Sequence, residues 1–96
     1  MSRQEKYKFR LYITGDSPNS AQAQSNLIAL CQTHLADRYE IEVVDVLKVP
    51  MLALNDNILL TPTLLKLSPP PIRRIVGALS QMQTVMDTLG LQVIVK

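Results

Sequence analysis

The first half of the chain carries a strand–helix–strand pattern, and this pattern constrains the fold most. Apolar side chains alternate with polar ones over residues 7–14, and residues 40–47 are β-branched and mostly apolar, so each segment predicts a strand. Between them, Ser17 can cap a helix that Pro18 opens and that we expect to end near Ala36. The apolar face of this helix consists of Ala23, Leu27, Ile28, Cys31 and Leu35. Two strands joined through a helix predict a βαβ unit with parallel strands.

The second half of the chain does not predict one arrangement. Pro50 can open a short helix, whereas residues 58–67 fit either a strand broken at Pro62 or the edge of a buried helix. The triplet Pro69–Pro71 interrupts any regular element, because each proline lacks a backbone donor and restricts the residue before it. Residues 72–76 then fit a strand or one turn of helix.

The end of the chain combines helix and strand signals. Ser80 and Gln83 form a capping-box pattern, and Gly90 is typical of the residue that ends a helix. Residues 91–95 are strand-like. We expect one α/β domain over residues 1–96.

Composition limits the classes of function. A net charge of +2 is too small to argue for nucleic-acid binding. No run reaches the roughly 18 apolar residues of a membrane helix, and no signal peptide is visible. The residues are 47% hydrophobic, a surplus for so small a domain that favours burial against copies of itself. We expect a cytoplasmic protein that contacts neither nucleic acid nor membrane.

Cys31, the only cysteine, is the one candidate nucleophile. Its position on the apolar helix face favours core packing, and His34 nearby has no evident orienting partner. One cysteine and one histidine fall short of a zinc site, and the three glycines stand too far apart for a phosphate loop. We therefore expect no enzyme, no cofactor and no metal.

Thr61-Pro62-Thr63 fits the plan of thioredoxin-like folds, in which a cis proline opens the strand that faces the active-site helix. The thioredoxin active site would then lie at residues 15–20, where the chain has Gly-Asp-Ser-Pro-Asn-Ser and no cysteine. Thiol–disulfide chemistry by the usual route is therefore excluded, and such a scaffold would serve for binding. Arg73 and Arg74, close in sequence to Lys66, fit either a solvated surface or a site for an acidic protein partner.

Three runs of residues resemble the KaiB family of circadian clock proteins. They are residues 11–20, residues 43–50 and residues 58–77, and together they span most of residues 7–90. The third run is the most specific, because it combines Thr-Pro-Thr-Leu with a triple proline and paired arginines.

The resemblance implies a metamorphic, non-catalytic regulator. Its ground state has the element order βαββααβ and is usually tetrameric, and its switched state is a thioredoxin-like monomer with the order βαβαββα. The switched state binds a KaiC-type ATPase and modulates its phosphorylation cycle. KaiA and a thioredoxin-like domain of a histidine kinase are the further partners implied. We expect the tetramer to predominate in the isolated chain.

The resemblance also assigns roles to residues of the second half. Partner contacts are expected from Lys48, Met51, Leu52, Thr61, Pro62, Thr63, Lys66, Arg73 and Arg74. The rebuilt, fold-switching segment contains Pro62, Pro69, Pro70, Pro71 and Gly77.

Three positions depart from the family pattern. The family commonly carries lysine where this chain has Glu42 and Asn57, and arginine where it has Gln22. We therefore expect a divergent paralogue that serves a non-standard KaiC or adjusts the main oscillator. Two alternatives are a stress-related interaction protein without a clock role and a thioredoxin-like redox protein that uses Cys31.

Overall fold

The computed structural model describes residues 6–91, and over this range the chain has the element order βαβαββα. The elements are β1 (Tyr7–Ile13), α1 (Pro18–His34), β2 (Tyr39–Asp45), α2 (Pro50–Asn55), β3 (Thr63–Ser68), β4 (Arg73–Val76) and α3 (Met82–Leu89). This is the thioredoxin-like order of the two that the family resemblance implies. No helix within the described range is long and apolar enough to span a membrane.

The four strands form one mixed sheet in the order β2-β1-β3-β4. Strands β1 and β2 are parallel and pair from Tyr7 opposite Tyr39 to Ile13 opposite Asp45, which confirms the predicted βαβ unit. Strand β3 is antiparallel to β1, and β4 is antiparallel to β3. Strands β2 and β4 therefore form the two edges of the sheet.

Helices α1 and α3 cover one face of the sheet and form the larger core with it. This core contains Phe9, Leu11, Ile13, Ala23, Leu27, Leu30, Cys31, Leu35, Leu64, Val85, Met86 and Leu89. Ile28, which we expected on the apolar face of α1, is instead 44% exposed. A residue five positions after Ala23 lies about 140° around the helix, because each residue turns it by about 100°. Leu30 takes the buried place.

On the opposite face of the sheet, α2 is the one helix among the described residues. A smaller core there consists of Tyr12, Val44, Ala53 and Leu65. Ala53 is the one buried residue of α2, so this six-residue helix contributes little apolar area to its own attachment. The outer surface of α2 is therefore free to carry other side chains.

Three of the four predicted helix-end signals are observed, among them Pro50 at the start of α2. Ser17 caps α1, where its hydroxyl accepts the backbone N–H of Ser20 at 3.3 Å, and Gly90 ends α3 with a φ of 77°. The capping box at Ser80 is wrong. The cap residue of α3 is Gln81, which makes no side-chain capping bond, and Gln83 donates to Asp87 at 3.0 Å instead.

The structure also shows which of the arrangements that the sequence allowed is formed in the second half. Residues 63–68 form a strand that follows the cis Thr61–Pro62 peptide bond. The prolines 69–71 form the turn into β4, whose pairing with β3 establishes the strand over residues 73–76. In the strand-like run at 91–95, Leu91 is not in a strand, and residues 92–95 lie outside the described range.

Candidate partner-binding site

The loop after β1 occupies the place of a thioredoxin active site. The hydroxyls of Thr14 and Thr61 are hydrogen-bonded to each other, which places this loop beside the cis Thr61–Pro62 bond. The loop leads through Asp16 and Ser17 into the first turn of α1 and contains no cysteine. Hydroxyl and amide groups alone cannot carry out thiol–disulfide exchange, which needs a thiolate.

Cys31 cannot supply that thiolate. It lies in the larger core, where it is fully buried, and this burial raises the pKa of its thiol to about 12. A thiol with that pKa remains protonated at neutral pH and is a poor nucleophile. The structure therefore places Cys31 among the core residues, and the alternative of a redox protein that uses Cys31 has no support.

The segment from residue 47 to residue 60 exposes an unusual amount of apolar surface. Ten large apolar side chains are exposed in the described part of the chain, and six of them belong to this segment. We call these six the α2 surface: Leu47, Val49, Met51, Leu54, Leu59 and Leu60. Leu59 is 91% exposed and Met51 is 65% exposed. Apolar side chains concentrated in this way mark interaction sites.

An open groove of about 690 Å³ continues the α2 surface toward the edge strand β2. Glu42 and Val43 line it from β2, and Lys48, Val49 and Leu52 line it from the α2 side. Within residues 6–91 no strand pairs with the outer edge of β2, so no other strand of this range uses its backbone N–H and C=O groups beside the groove. The α2 surface and this edge together form the candidate partner-binding site.

The structure divides the predicted contact residues into exposed and buried sets. Lys48, Met51, Arg73 and Arg74 are exposed, and Leu52 and Thr61 are partly exposed. Pro62, Thr63 and Lys66 are buried in this fold, and their expected contact with a partner stays a prediction. Strand β3 lies between β1 and β4, where both sheet faces are covered, and that position buries them.

Lys66 is the least expected of the buried residues, because it is only 4% exposed. Its ammonium group donates to the Leu89 carbonyl at 3.0 Å and lies 5.9 Å from the centre of the Tyr7 ring. Leu89 is the last residue of α3, where backbone carbonyls lack helical partners and favour a cation. Lys66 therefore attaches α3 to the sheet in this fold.

Arg73 and Arg74 do not form one basic patch. Neighbouring residues of a strand point to opposite faces of the sheet, so the two side chains separate. The guanidinium of Arg74 donates to the backbone carbonyls of Asp56 and Asn57 at 2.6 and 2.8 Å, at the end of α2. Arg73 pairs with Lys66 across the strands and is exposed.

Sequence patterns did not reveal a polar cluster that surrounds Asp56. Arg10 donates from one nitrogen to Glu42 at 2.8 Å and from another to Asp56 at 3.0 Å, and the Tyr12 hydroxyl donates to the same Asp56 carboxylate. The Tyr12 hydrogen bond, followed by Arg10, holds the pKa of the Asp56 carboxyl below its usual value. Burial and the bond to Asp56 raise the pKa of Tyr12 to about 12, so Tyr12 remains protonated.

Two of the three departures from the family pattern have local reasons. Glu42 pairs with Arg10, which a lysine at this position would repel. Asn57 has a φ of 57°, a left-handed conformation that asparagine tolerates better than lysine does. Gln22 is exposed on α1, 3.4 Å from the Asn26 side chain, and nothing in the structure explains its choice.

Three residues of the α2 surface were not among the predicted contact residues and carry only weak sequence signals: Leu54, Leu59 and Leu60. Leu54 belongs to the apolar pattern of the short helix, but no period says which of its faces is buried. Leu59 and Leu60 are two adjacent leucines just before Thr61, in a run that fitted a buried element equally well. These two adjacent leucines were the one sequence feature that indicated this part of the α2 surface.

Solved structures with this fold include thioredoxins and the N-terminal domain of SasA. The N-terminal domain of Synechococcus elongatus SasA matches with a TM-score of 0.73 at 17% identity, over 100% of this chain and 94% of that one. The Drosophila melanogaster germline-specific thioredoxin Deadhead matches with a TM-score of 0.71 at 14% identity, over 90% and 80%. The fold and the site define a thioredoxin-fold protein without a cysteine at the thioredoxin active-site position.

The sequence comparisons identify its family. The profile of the KaiB domain matches residues 10–91. The chain is 46% identical to circadian clock protein KaiB3 of Synechocystis, over 88% of this chain and 81% of that protein. It is also 46% identical to the circadian clock oscillator protein KaiB of Prochlorococcus marinus strain SARG, over 95% and 78%. The chain belongs to the KaiB family.

Proposed function

We propose that this chain is a non-catalytic component of a circadian clock that binds a KaiC-type ATPase in the cytoplasm and modulates its phosphorylation cycle. The contact surface is the α2 surface together with Lys48 and Leu52. The exposed apolar side chains of this surface carry the proposal, since they belong to a chain whose family relatives are clock proteins. The loop at the thioredoxin active-site position contains no cysteine, which is consistent with a binding role.

The chain also exchanges, in this proposal, between the fold described above and a tetrameric ground state with the order βαββααβ. Two packings of one sequence coexist when they differ by only a few kcal/mol. Self-association favours the ground state by mass action, and binding of the ATPase favours the thioredoxin-like monomer. The segment with Pro62, Pro69–Pro71 and Gly77 would be rebuilt between the two.

Further partners follow from the same surface. A thioredoxin-like domain of a histidine kinase would compete for the ATPase, because the SasA N-terminal domain shares this fold. KaiA is the other partner that we propose. Glu42, Asn57 and Gln22 stand where the family commonly carries cations, so in this proposal recruitment of KaiA depends on the charge of the KaiA surface that meets these three positions.

The test is retention of KaiC-type ATPases from the same genome on the immobilised chain. We expect one of them to be retained after prolonged incubation with ATP, because in this proposal the tetrameric ground state converts to the thioredoxin-like monomer before binding. Cys31→Ala is the control that separates the binding module from a redox protein, and it should retain the same ATPase in the same amount. Failure to retain any KaiC-type protein would overturn the clock function, and a disulfide-reductase activity that disappears in Cys31→Ala would favour the redox alternative.

A further inference from the structure

We propose that Asp56 is the point at which the sheet positions the α2 surface for its partner, and that Arg10, Tyr12 and Arg74 are positioning residues for binding. We call these four residues the α2 anchor. The inference rests on the proposed function, because it explains how the proposed contact surface is held in place.

Helix α2 needs such an anchor because it cannot hold its own position. It has six residues, and isolated helices of that length are not stable in water. Ala53 is its one buried residue, and Val49 at its start makes no side-chain capping bond. Within α2 the apolar packing comes from Ala53 and the partly buried Leu52, and no side chain caps the helix start, so polar contacts add to the attachment of α2 to the sheet.

The first half of the chain supplies one side of the anchor. Arg10 and Tyr12 project from the same face of β1, and both donate to the Asp56 carboxylate. The Tyr12 hydroxyl also lies 3.1 Å from the Leu52 carbonyl oxygen, one turn earlier in α2. Glu42 on β2 accepts from the remaining side of Arg10 at 2.8 Å and so fixes the orientation of the guanidinium.

The second half of the chain supplies the other side. Arg74 on β4 donates to the backbone carbonyls of Asp56 and Asn57, which follow the last turn of α2. Its place is set by the β3–β4 ladder, where Arg74 pairs with Leu65. Any rearrangement that moves β4 off β3 removes Arg74 from the end of α2. The anchor is thus complete only when the hairpin has the arrangement described above.

The test compares two neighbouring arginines on opposite faces of the same strand. Arg74→Gln removes the guanidinium from the end of α2, and Arg73→Gln is the matched control. We expect Arg74→Gln to raise the Kd for the KaiC-type ATPase about tenfold, equivalent to roughly 1.4 kcal/mol. Arg73→Gln should change the Kd less than twofold.

Hydrogen exchange separates positioning from general loss of stability. In Arg74→Gln, the amides of residues 50–57 should exchange faster relative to those of α1 in the same sample, whereas a general destabilisation would accelerate both. A double-mutant cycle of Arg10→Gln and Asp56→Asn adds a second readout. Its double variant should lose less affinity than the sum of the single losses, because the two side chains contact each other.

The outcomes distinguish this inference from the proposed function. Unchanged exchange at residues 50–57 in Arg74→Gln would overturn the anchor, as would equal Kd values for the Arg73 and Arg74 variants. Additive losses in the cycle would also contradict it. If the unmodified chain binds no KaiC-type ATPase, the proposed function fails, and the exchange result still decides whether the anchor exists.

Discussion

The strand position of each basic residue in the β3–β4 hairpin decides what its side chain contributes. Lys66 points to the face with α3 and bonds to the last carbonyl of that helix. Arg74 points to the face with α2 and bonds to carbonyls at the end of that helix. The hairpin therefore contributes one cation to the C-terminal end of a helix on each side of the sheet, where cations are favourable.

The lowered pKa of Asp56 predicts that the folding stability of the chain depends on pH. Its pKa is lowered in the folded chain, so its contribution to stability is present above the unfolded pKa of about 3.9 and is lost as pH falls through the lower folded value. Arg10, Tyr12 and Arg74 are the titratable or charged groups that act on it, and Glu42 bonds to another nitrogen of Arg10.

We expect Asp56→Asn to destabilise the chain by about 1–3 kcal/mol at neutral pH and to lose less further stability between pH 7 and pH 3 than the unmodified chain does. Urea unfolding at a series of pH values measures this difference. Asp37→Asn, which removes an exposed carboxylate, is the control. If the Asp56 variant and the unmodified chain lost the same amount of stability between pH 7 and pH 3, the Asp56 carboxylate would make no contribution to folding stability.

At the scale of elements, the first half could be predicted because local and tertiary preferences agree there. Residues 7–13 alternate in sequence and have a covered face on each side, and the Ser17–Pro18 start of α1 needs only its own backbone. Ile28 is the exception, because it lies about 140° around the helix from Ala23. In this half, the period of the sequence was sufficient to place the core.

The second half could not be predicted in the same way, because contacts distant in sequence decide it. Residues 63–66 become a strand through pairing with β1 and β4, not through a period of their own. Asp56 receives bonds from Arg10, 46 positions earlier, and from Arg74, 18 positions later. No local pattern indicates such partners, so the α2 anchor was invisible in the sequence.

Gly90 allows a test of how the end of α3 contributes to stability. Its φ of 77° is left-handed, and a Cβ added there would meet nothing within 4 Å, so the cost of substitution is conformational alone. We expect Gly90→Ala to destabilise the chain by about 1 kcal/mol and Gly90→Asn to cost less, because asparagine tolerates this conformation. Thermal unfolding of both variants measures the difference, and an equally stable Ala variant would contradict it.

At the scale of the whole molecule, the two faces of the sheet have different tasks. The face with α1 and α3 contains most of the buried apolar residues. The face with α2 has a small core, a polar cluster and the exposed α2 surface. The proposed contact surface therefore lies on the less heavily packed face of the sheet.

The central claim, binding of a KaiC-type ATPase through the α2 surface, is tested most directly by Kd values for a matched pair of variants. Met51 lies on the α2 surface and is 65% exposed, and Ile72 is 64% exposed in the turn at the opposite end of β3 from Thr63. Met51→Asp should weaken binding at least tenfold, because it places a carboxylate where the Met51 side chain would be buried against the ATPase. Ile72→Asp should leave the Kd within twofold. Equal effects of the two substitutions would contradict the account.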